Sequence, residues 1–214
     1  MVKKILAALV LGSASLLGSA QTLFDNEANQ TYFGVRAGLD VSSASEGYGA
    51  YSNGAGFHVG MIYHIPVKMN FYFQPGLSFF YDTFGLTRPL NPRPGLPGAD
   101  GSIRNAGFRI PFDLGYHFDF TDDIKVYVFT GPQLNYSFSA KSHWNVSGEG
   151  FESESLFGDG GFKHIDLQWR FGAGISYGNY YLSMIGAPGI TKVYKVGDIG
   201  FRRNLFELTV GYNF

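Results

Sequence analysis

The 214-residue chain has no cysteine, so neither a disulfide framework nor lipid attachment at a cysteine is open to it. Charged residues make up only 15% of it and the net charge is −1, which excludes the basic footprint of a nucleic-acid binder. Beyond Ala20 no long uninterrupted apolar stretch remains, and that excludes a helical membrane protein. The one apolar run lies at the N-terminus. Lys3 and Lys4, the run from Ile5 to Val10 and on through Leu17, and Gly18-Ser19-Ala20 form the three parts of a secretory leader with cleavage between Ala20 and Gln21. That run is too short for a transmembrane helix. Its removal takes the net charge to −3 and leaves a short polar lead over residues 21–31, then one domain over 32–214.

Glycine (30 residues) and aromatics (17%) are both abundant. Together they suit strands with bulky side chains on one face and very small ones on the other. The clearest cases alternate at period two. At the C-terminus Phe206, Leu208, Val210, Tyr212 and Phe214 oppose Glu207, Thr209, Gly211 and Asn213, and the chain stops on an aromatic. From Phe108 to Phe120 an apolar row opposes Arg109, Pro111, Asp113, Gly115, His117 and Asp119. Similar rows run from Phe33 to Val41, Phe57 to Ile65, Phe71 to Asp82, Val126 to Phe138, Ile165 to Ile175 and Tyr180 to Ala187. In the fifth row Tyr127 and Phe129 interrupt the polar face, and the seventh has little contrast. The connections alternate between long and short: residues 42–53, 85–107, 139–161 and 188–203 are long, and Gly178-Asn179 is a tight hairpin turn. Eight strands joined this way run up and down, with every short turn at one end.

Alternation alone does not say which row points inward, but volume does. An eight-stranded barrel has a bore just filled by side chains, and the large aromatic rows would not fit in it, whereas the glycine-punctuated polar rows would. The apolar rows therefore face outward, and such a band needs lipid around it. A lipocalin-like soluble barrel or a soluble sandwich would place the large residues inside. The expected fold is all-β: an eight-stranded antiparallel up-and-down transmembrane β-barrel with short periplasmic turns and long external loops. Tyr32, Tyr63, Tyr72, Tyr116, Phe118, Phe120, Tyr177, Tyr180 and Tyr212 lie near the short-turn ends, where an interfacial girdle is expected.

Several short motifs occur in a familiar order: Gly34-Val35-Arg36-Ala37-Gly38-Leu39-Asp40, Gly56-Phe57-His58-Val59-Gly60, Phe73-Gln74-Pro75-Gly76-Leu77, Arg109-Ile110-Pro111, Thr130-Gly131-Pro132 and Phe171-Gly172-Ala173-Gly174-Ile175. In this the chain resembles the PorT-like outer-membrane β-barrel family of Bacteroidota. The resemblance implies the same eight-stranded barrel and, for a few members, a link to protein secretion. The terminal strand also resembles the C-terminal assembly signal of bacterial outer-membrane barrels, here Phe206, Leu208, Val210, Tyr212 and Phe214.

No enzyme, cofactor or metal signature is evident. The five histidines are dispersed without ligand spacing, Gly172-Ala173-Gly174 lies within a strand and opens no helix, and Gly158 to Gly161 has too few carboxylates for a calcium loop. The informative polar groups are the inward charges Arg36, Asp40, Arg109, Asp113, Asp166, Arg170 and Glu207. They are expected to form a lumen ionic network, with Arg36 beside Glu207 across the seam between the first and last strands. The expected protein is an integral outer-membrane barrel, exported by its leader, with a filled and essentially non-conducting lumen. It acts structurally or through external loops bearing Tyr48, Tyr51, Trp144, Phe151, Phe157 and Tyr194, in a binding or secretion-associated role. Its expected partners are outer-membrane lipid, the barrel-assembly machinery, and protein or lipopolysaccharide at the loops. A lipid-modifying enzyme and a narrow pore are the alternatives.

Overall fold

The computed structural model describes residues 30–45, 51–86, 100–146, 149–152, 155–157, 161–196 and 199–214. The leader Met1–Ala20, the cleavage point at Gln21 and most of the polar lead lie outside them. The described residues form strands and turns, with no helix among them: β1 (Tyr32–Ser45), β2 (Tyr51–Ser52), β3 (Gly54–Lys68), β4 (Phe71–Leu86), β5 (Asp100–Asp119), β6 (Ile124–Val146), β7 (Glu149–Glu152), β8 (Ile165–Tyr177), β9 (Tyr180–Ala187), β10 (Tyr194–Val196) and β11 (Ile199–Asn213). Eight of these are neighbours in the order β1-β3-β4-β5-β6-β8-β9-β11, and β11 pairs back with β1, so the sheet closes into an antiparallel eight-stranded barrel. The short β2, β7 and β10 pair with β4, β6 and β11 beyond the barrel wall.

Three short turns join strands at one end. Met69-Asn70 and Gly178-Asn179 are two-residue hairpins, and in each the first residue takes a left-handed φ, 55° at Met69 and 53° at Gly178. Glycine adopts that conformation without steric cost. The third turn spans residues 120–123 and is closed by the Phe120 N–H donating to the Ile124 carbonyl at 3.0 Å. The chain end is fastened at the same rim: the Phe214 N–H donates to the Phe33 carbonyl at 2.8 Å and the Asn179 side chain donates to the Asn213 carbonyl at 2.6 Å.

The two rows separate as their chemistry requires. On β11, Leu208 and Val210 are 45% and 56% exposed, whereas Glu207 and Thr209 are each 3% exposed. The outward row continues around the barrel through Val35, Leu39, Val59, Phe71, Leu114, Phe171 and Met184. A contiguous apolar belt of this extent is stable only in hydrocarbon, where the closed ladder satisfies the backbone polar groups. Within it Trp169 donates its indole N–H to Thr130 Oγ1 at 2.8 Å, so the one polar atom of that ring is paired.

The strands are longer than the alternation indicates. The connection expected over 85–107 shrinks to 87–99, β6 continues to Val146, and β11 begins at Ile199 rather than Phe206. The reason is visible in the outward residues. Past Phe108, Phe138 and Phe206 they become Arg104, Ser102, Lys141, His143, Asn204 and Arg202, so the apolar contrast fades while the hydrogen-bonded ladder continues. A bulge between Ala106 and Gly107, opposite Ser137 to Ser139, also breaks the period. Crossing a membrane takes about 9–11 residues per strand, so β5 (20 residues) and β6 (23 residues) extend well beyond the apolar belt at the long-loop end. The weakly patterned seventh row coincides with β9, and Tyr127 and Phe129 face the lumen, opposite Gly174 and Gly172. The girdle needs correction at two positions. Tyr72 is fully buried and Tyr32 stacks on the lumen residue His64 at 4.4 Å, so both face inward, while Phe118, Phe120, Tyr177, Tyr180 and Tyr212 face outward.

Candidate functional site

The lumen is filled in three layers. At the short-turn end, rings from four strands pack together: His64 lies 4.5 Å from Tyr72, Tyr72 lies 5.8 Å from Tyr127, and Tyr127 lies 5.7 Å from Tyr181. Glycines opposite these rings give them room. A Cβ on Gly115 would meet the Tyr72 ring, and one on Gly172 would meet Phe129. Arg36 caps this layer with its guanidinium 4.1 Å above the Tyr181 ring.

The middle layer is ionic and centres on Arg109. Its Nη2 donates to both oxygens of Asp82 at 2.9 and 2.7 Å, and its Nη1 donates to Asp40 at 2.8 Å and Glu207 at 3.3 Å. Arg203 links Asp82 (3.3 Å) to Asp166 (2.8 Å). Asn135 donates to Asp166 at 2.9 Å, and Gln133 donates to Asn135 at 3.2 Å and to Gln168 at 2.8 Å. Arg170 donates to Gln133 at 3.1 Å and lies 3.3 Å from Asp113 and 3.9 Å from Glu207. The connections therefore run from Arg109 through Asp82, Arg203, Asp166, Asn135, Gln133, Arg170 and Glu207 back to Arg109, as a closed loop across the bore. Phe80 is fully buried against the guanidinium groups of Arg109 and Arg203, which lie 4.6 and 4.8 Å from its ring centre.

The third layer, at the long-loop end, is apolar. Phe84, Ile103, Ala140 and Phe201 point inward from β4, β5, β6 and β11, and Phe162 and Val193 from the loops close over them, with Leu156 and Phe157 packed alongside. Phe157 also stacks on His164 at 3.9 Å. Of the loop aromatics expected to be available, Phe157 therefore folds onto the rim. Tyr48 and the side chains of Tyr51, Trp144, Phe151 and Tyr194 lie outside the described residues.

The structure brings Asp40, Arg109, Asp113, Asp166, Arg170 and Glu207 into this network, but not Arg36. The seam register sets Arg36 opposite Gly211 and Glu207 opposite Asp40. Arg36 instead donates to Asn213 Oδ1 at 2.8 Å and to the Val35 carbonyl at 3.0 Å. Counting residues up from the turns ignores the stagger of strands in a closed barrel, which displaces equal counts to different heights. Asp82, Arg203, His58 and Phe80 did not stand out in the sequence. Their signal was parity alone: each lies on the same row as a recognised inward residue of its strand. Phe206, Leu208, Val210, Tyr212 and Phe214 all lie on the outer surface of β11 and its end.

One arrangement has the form of a proton relay. Asp40 Oδ1 lies 2.7 Å from His58 Nδ1, and His58 Nε2 lies 3.2 Å from Thr209 Oγ1. Such a set can polarise a hydroxyl, but the adjoining lumen cavity holds only about 30 Å³, room for a water or two. Asp40, His58 and Glu207 also place one ligand atom each within 4.8 Å of one another. Arg109 already stands between the two carboxylates and supplies the positive charge a cation would bring.

A family model described as "Outer membrane protein beta-barrel domain" matches residues 20–194. Among solved structures the chain is similar to Ail, the attachment invasion locus protein of Yersinia pestis, at 14% identity, covering 87% of this chain and 100% of that chain with a TM-score of 0.44. It is also similar to Neisserial surface protein A at 16% identity, with 87% and 100% covered and a TM-score of 0.43. The N-terminal β-barrel domain of Pseudomonas aeruginosa OprF matches at 13% identity, with 86% and 100% covered and a TM-score of 0.31. No curated protein matches the chain.

Proposed function

Because the chain belongs to the outer membrane protein beta-barrel domain family, we propose that it is a sealed outer-membrane barrel whose work is done at its external end, without a catalytic role or cofactor of its own. The observation that carries this reading is the filled bore. An aromatic layer, an ionic layer and an apolar layer succeed one another and leave a cavity of about 30 Å³. An ion passing through would have to break the charge network and then displace Phe84, Ile103 and Phe201. The Asp40–His58–Thr209 relay is structural on this reading, because no organic substrate fits beside it.

With a closed bore, what the protein offers its surroundings is the outer wall of β4, β5 and β6 and the loops packed on its rim, a platform for binding protein or outer-leaflet lipid. The resemblance to PorT-like barrels supports a place beside protein secretion. Export follows from cleavage of the leader before Gln21, and the alternating apolar side chains of β11 up to Phe214 serve recognition by the barrel-assembly machinery. Planar-bilayer recording of the refolded barrel tests the central element. A flat baseline across ±100 mV is expected, and discrete current steps would assign it to the pores instead.

A further inference from the structure

Between the aromatic and ionic layers the bore keeps a small polar space. This cavity of about 30 Å³ is bordered by Phe129 and Tyr181 of the first layer and by Arg109, Arg170 and Glu207 of the second. Part of its wall is made of the short side chains Ser78, Ser183 and Thr209, which leave room that longer residues would fill.

The charges around the cavity are not fully bonded to one another. Asp113 is 1% exposed, yet its Oδ1 accepts no hydrogen bond among the described residues. Other carboxylates of the layer are better served: Asp40 is bonded to His58 and Arg109, Asp82 to Arg109 and Arg203, and Asp166 to Asn135 and Arg203. Arg170 Nε lies 3.3 Å from the same Asp113 oxygen and likewise makes no hydrogen bond among the described residues, so charge alone holds that pair. Arg170 Nη2 and Glu207 Oε2, which close the loop of connections across the bore, stand 3.9 Å apart, too far for a hydrogen bond. A carboxylate buried without a donor is costly, and a polar contact wider than about 3.5 Å is the spacing that a water bridges. Asp113, Arg170 and Glu207 all line this one cavity.

The lining selects the occupant. Arg36, Arg109 and Arg170 bring positive charge to it, and Asp113 and Glu207 bring negative charge. A cation would lie against three guanidinium groups, and an anion against the unbonded carboxylate oxygen. Water meets both demands, because it donates to a carboxylate and accepts from an N–H. Each water takes roughly 10–15 Å³ of such space, so the cavity of about 30 Å³ accommodates two. We propose that the cavity is a binding site for two structural waters, one joining Asp113 Oδ1 to Arg170 Nε and the other joining Arg170 Nη2 to Glu207 Oε2. They complete the ionic loop and make Arg170 the shared partner of both carboxylates, tying β5 and β8 to β11.

The test is a crystal structure of the full mature barrel at a resolution that shows ordered water. Density is expected about 2.5–3.0 Å from Asp113 Oδ1 and again between Arg170 and Glu207. It should persist, without anomalous signal at either position, when the barrel is refolded and crystallised in rubidium bromide. Asp113→Asn keeps an acceptor and the shape of the side chain, so it should keep the first peak; Asp113→Leu, apolar and of similar reach, should lose it. No density in the cavity, a rubidium or bromide signal there, or a first peak undiminished in Asp113→Leu would overturn the proposal. The wild-type density and the anomalous measurement decide the matter if Asp113→Leu does not fold. A conducting barrel would still hold these waters, so missing density refutes this site alone and current steps in a bilayer refute the sealed barrel alone.

Discussion

Replacing Arg109 with Met removes the cation that three buried carboxylates share. Breaking one buried ion pair by deleting a partner typically costs about 3–5 kcal/mol, and naive addition over Asp40, Asp82 and Glu207 would triple that. The structure argues against adding. Asp82 keeps Arg203 at 3.3 Å, Asp40 keeps His58 at 2.7 Å, and Glu207 keeps Arg170 at 3.9 Å. The expected loss is therefore that of about one pair, about 3–5 kcal/mol. At about 2–4 °C per kcal/mol for a chain of this size, the melting temperature should fall by roughly 6–20 °C. Urea titration of the barrel refolded in phosphatidylcholine vesicles, followed by tryptophan fluorescence and by mobility on unboiled gels, measures the free-energy loss. Adding Asp82→Asn should recover part of the loss, because it removes the carboxylate that Arg109 binds through two bonds. A single-variant loss below about 1 kcal/mol would refute the reasoning, since a buried charge deprived of its principal partner should cost more.

Glu207→Gln should cost less than Arg109→Met, about 1–2 kcal/mol, because its two charged contacts are the long ones, 3.3 Å to Arg109 and 3.9 Å to Arg170, and its loss relieves Asp40, which faces it across the seam; equal losses in the two variants would contradict this seam register. Gly172→Val would place a Cβ 2.5 Å from Phe129 Cζ and 2.9 Å from the Met184 carbonyl oxygen, so a loss of about 1–3 kcal/mol from overpacking is expected in the same urea assay. Phe201→Ala empties part of the outer apolar layer and should cost about 3–5 kcal/mol, yet bilayer recordings should stay flat because the ionic layer beneath is intact. Deleting Phe214 removes the N–H bonded to Phe33 and the ring 5.1 Å from Tyr212. Insertion into the outer membrane, measured by fractionation, should fall, and normal insertion would show that the terminal aromatic plays no part in assembly.

The barrel was legible wherever one face had to meet lipid. There the chemistry of the two rows differs so strongly that even β9, with aromatics on both faces, was placed correctly, and the Gly178-Asn179 turn and the closing strand followed. Legibility ended where lipid ended. On β5 and β6 beyond the belt the outward residues are serine, histidine, arginine and lysine, and nothing in the alternation marks that the ladder goes on. The charge network was legible in membership but not in pairing. Arg109, Asp166 and Glu207 could be recognised as inward from parity, but their partners depend on the stagger around the barrel, which no single strand records. Arg203 illustrates this: its parity with Glu207 points it inward, but its partners Asp82 and Asp166 come from β4 and β8 and are set only by the stagger around the barrel. Phe80 escaped for the opposite reason, since an aromatic on a polar row reads as an irregularity until two guanidinium groups are found over its ring.

The central claim is that one row of each strand lies in lipid and the other in a sealed bore. The chain has no cysteine of its own, so single cysteines at Leu208, Thr209 and Val210 can be spin-labelled without interference in the barrel reconstituted in vesicles. The most direct measurement is the accessibility of these labels to oxygen, which partitions into lipid, and to a water-soluble nickel chelate. Labels at Leu208 and Val210 should be open to oxygen and closed to nickel, and a label at Thr209 should be closed to both. Nickel access at Leu208 and Val210 would contradict the lipid-facing row, and nickel access at Thr209 would contradict the sealed lumen.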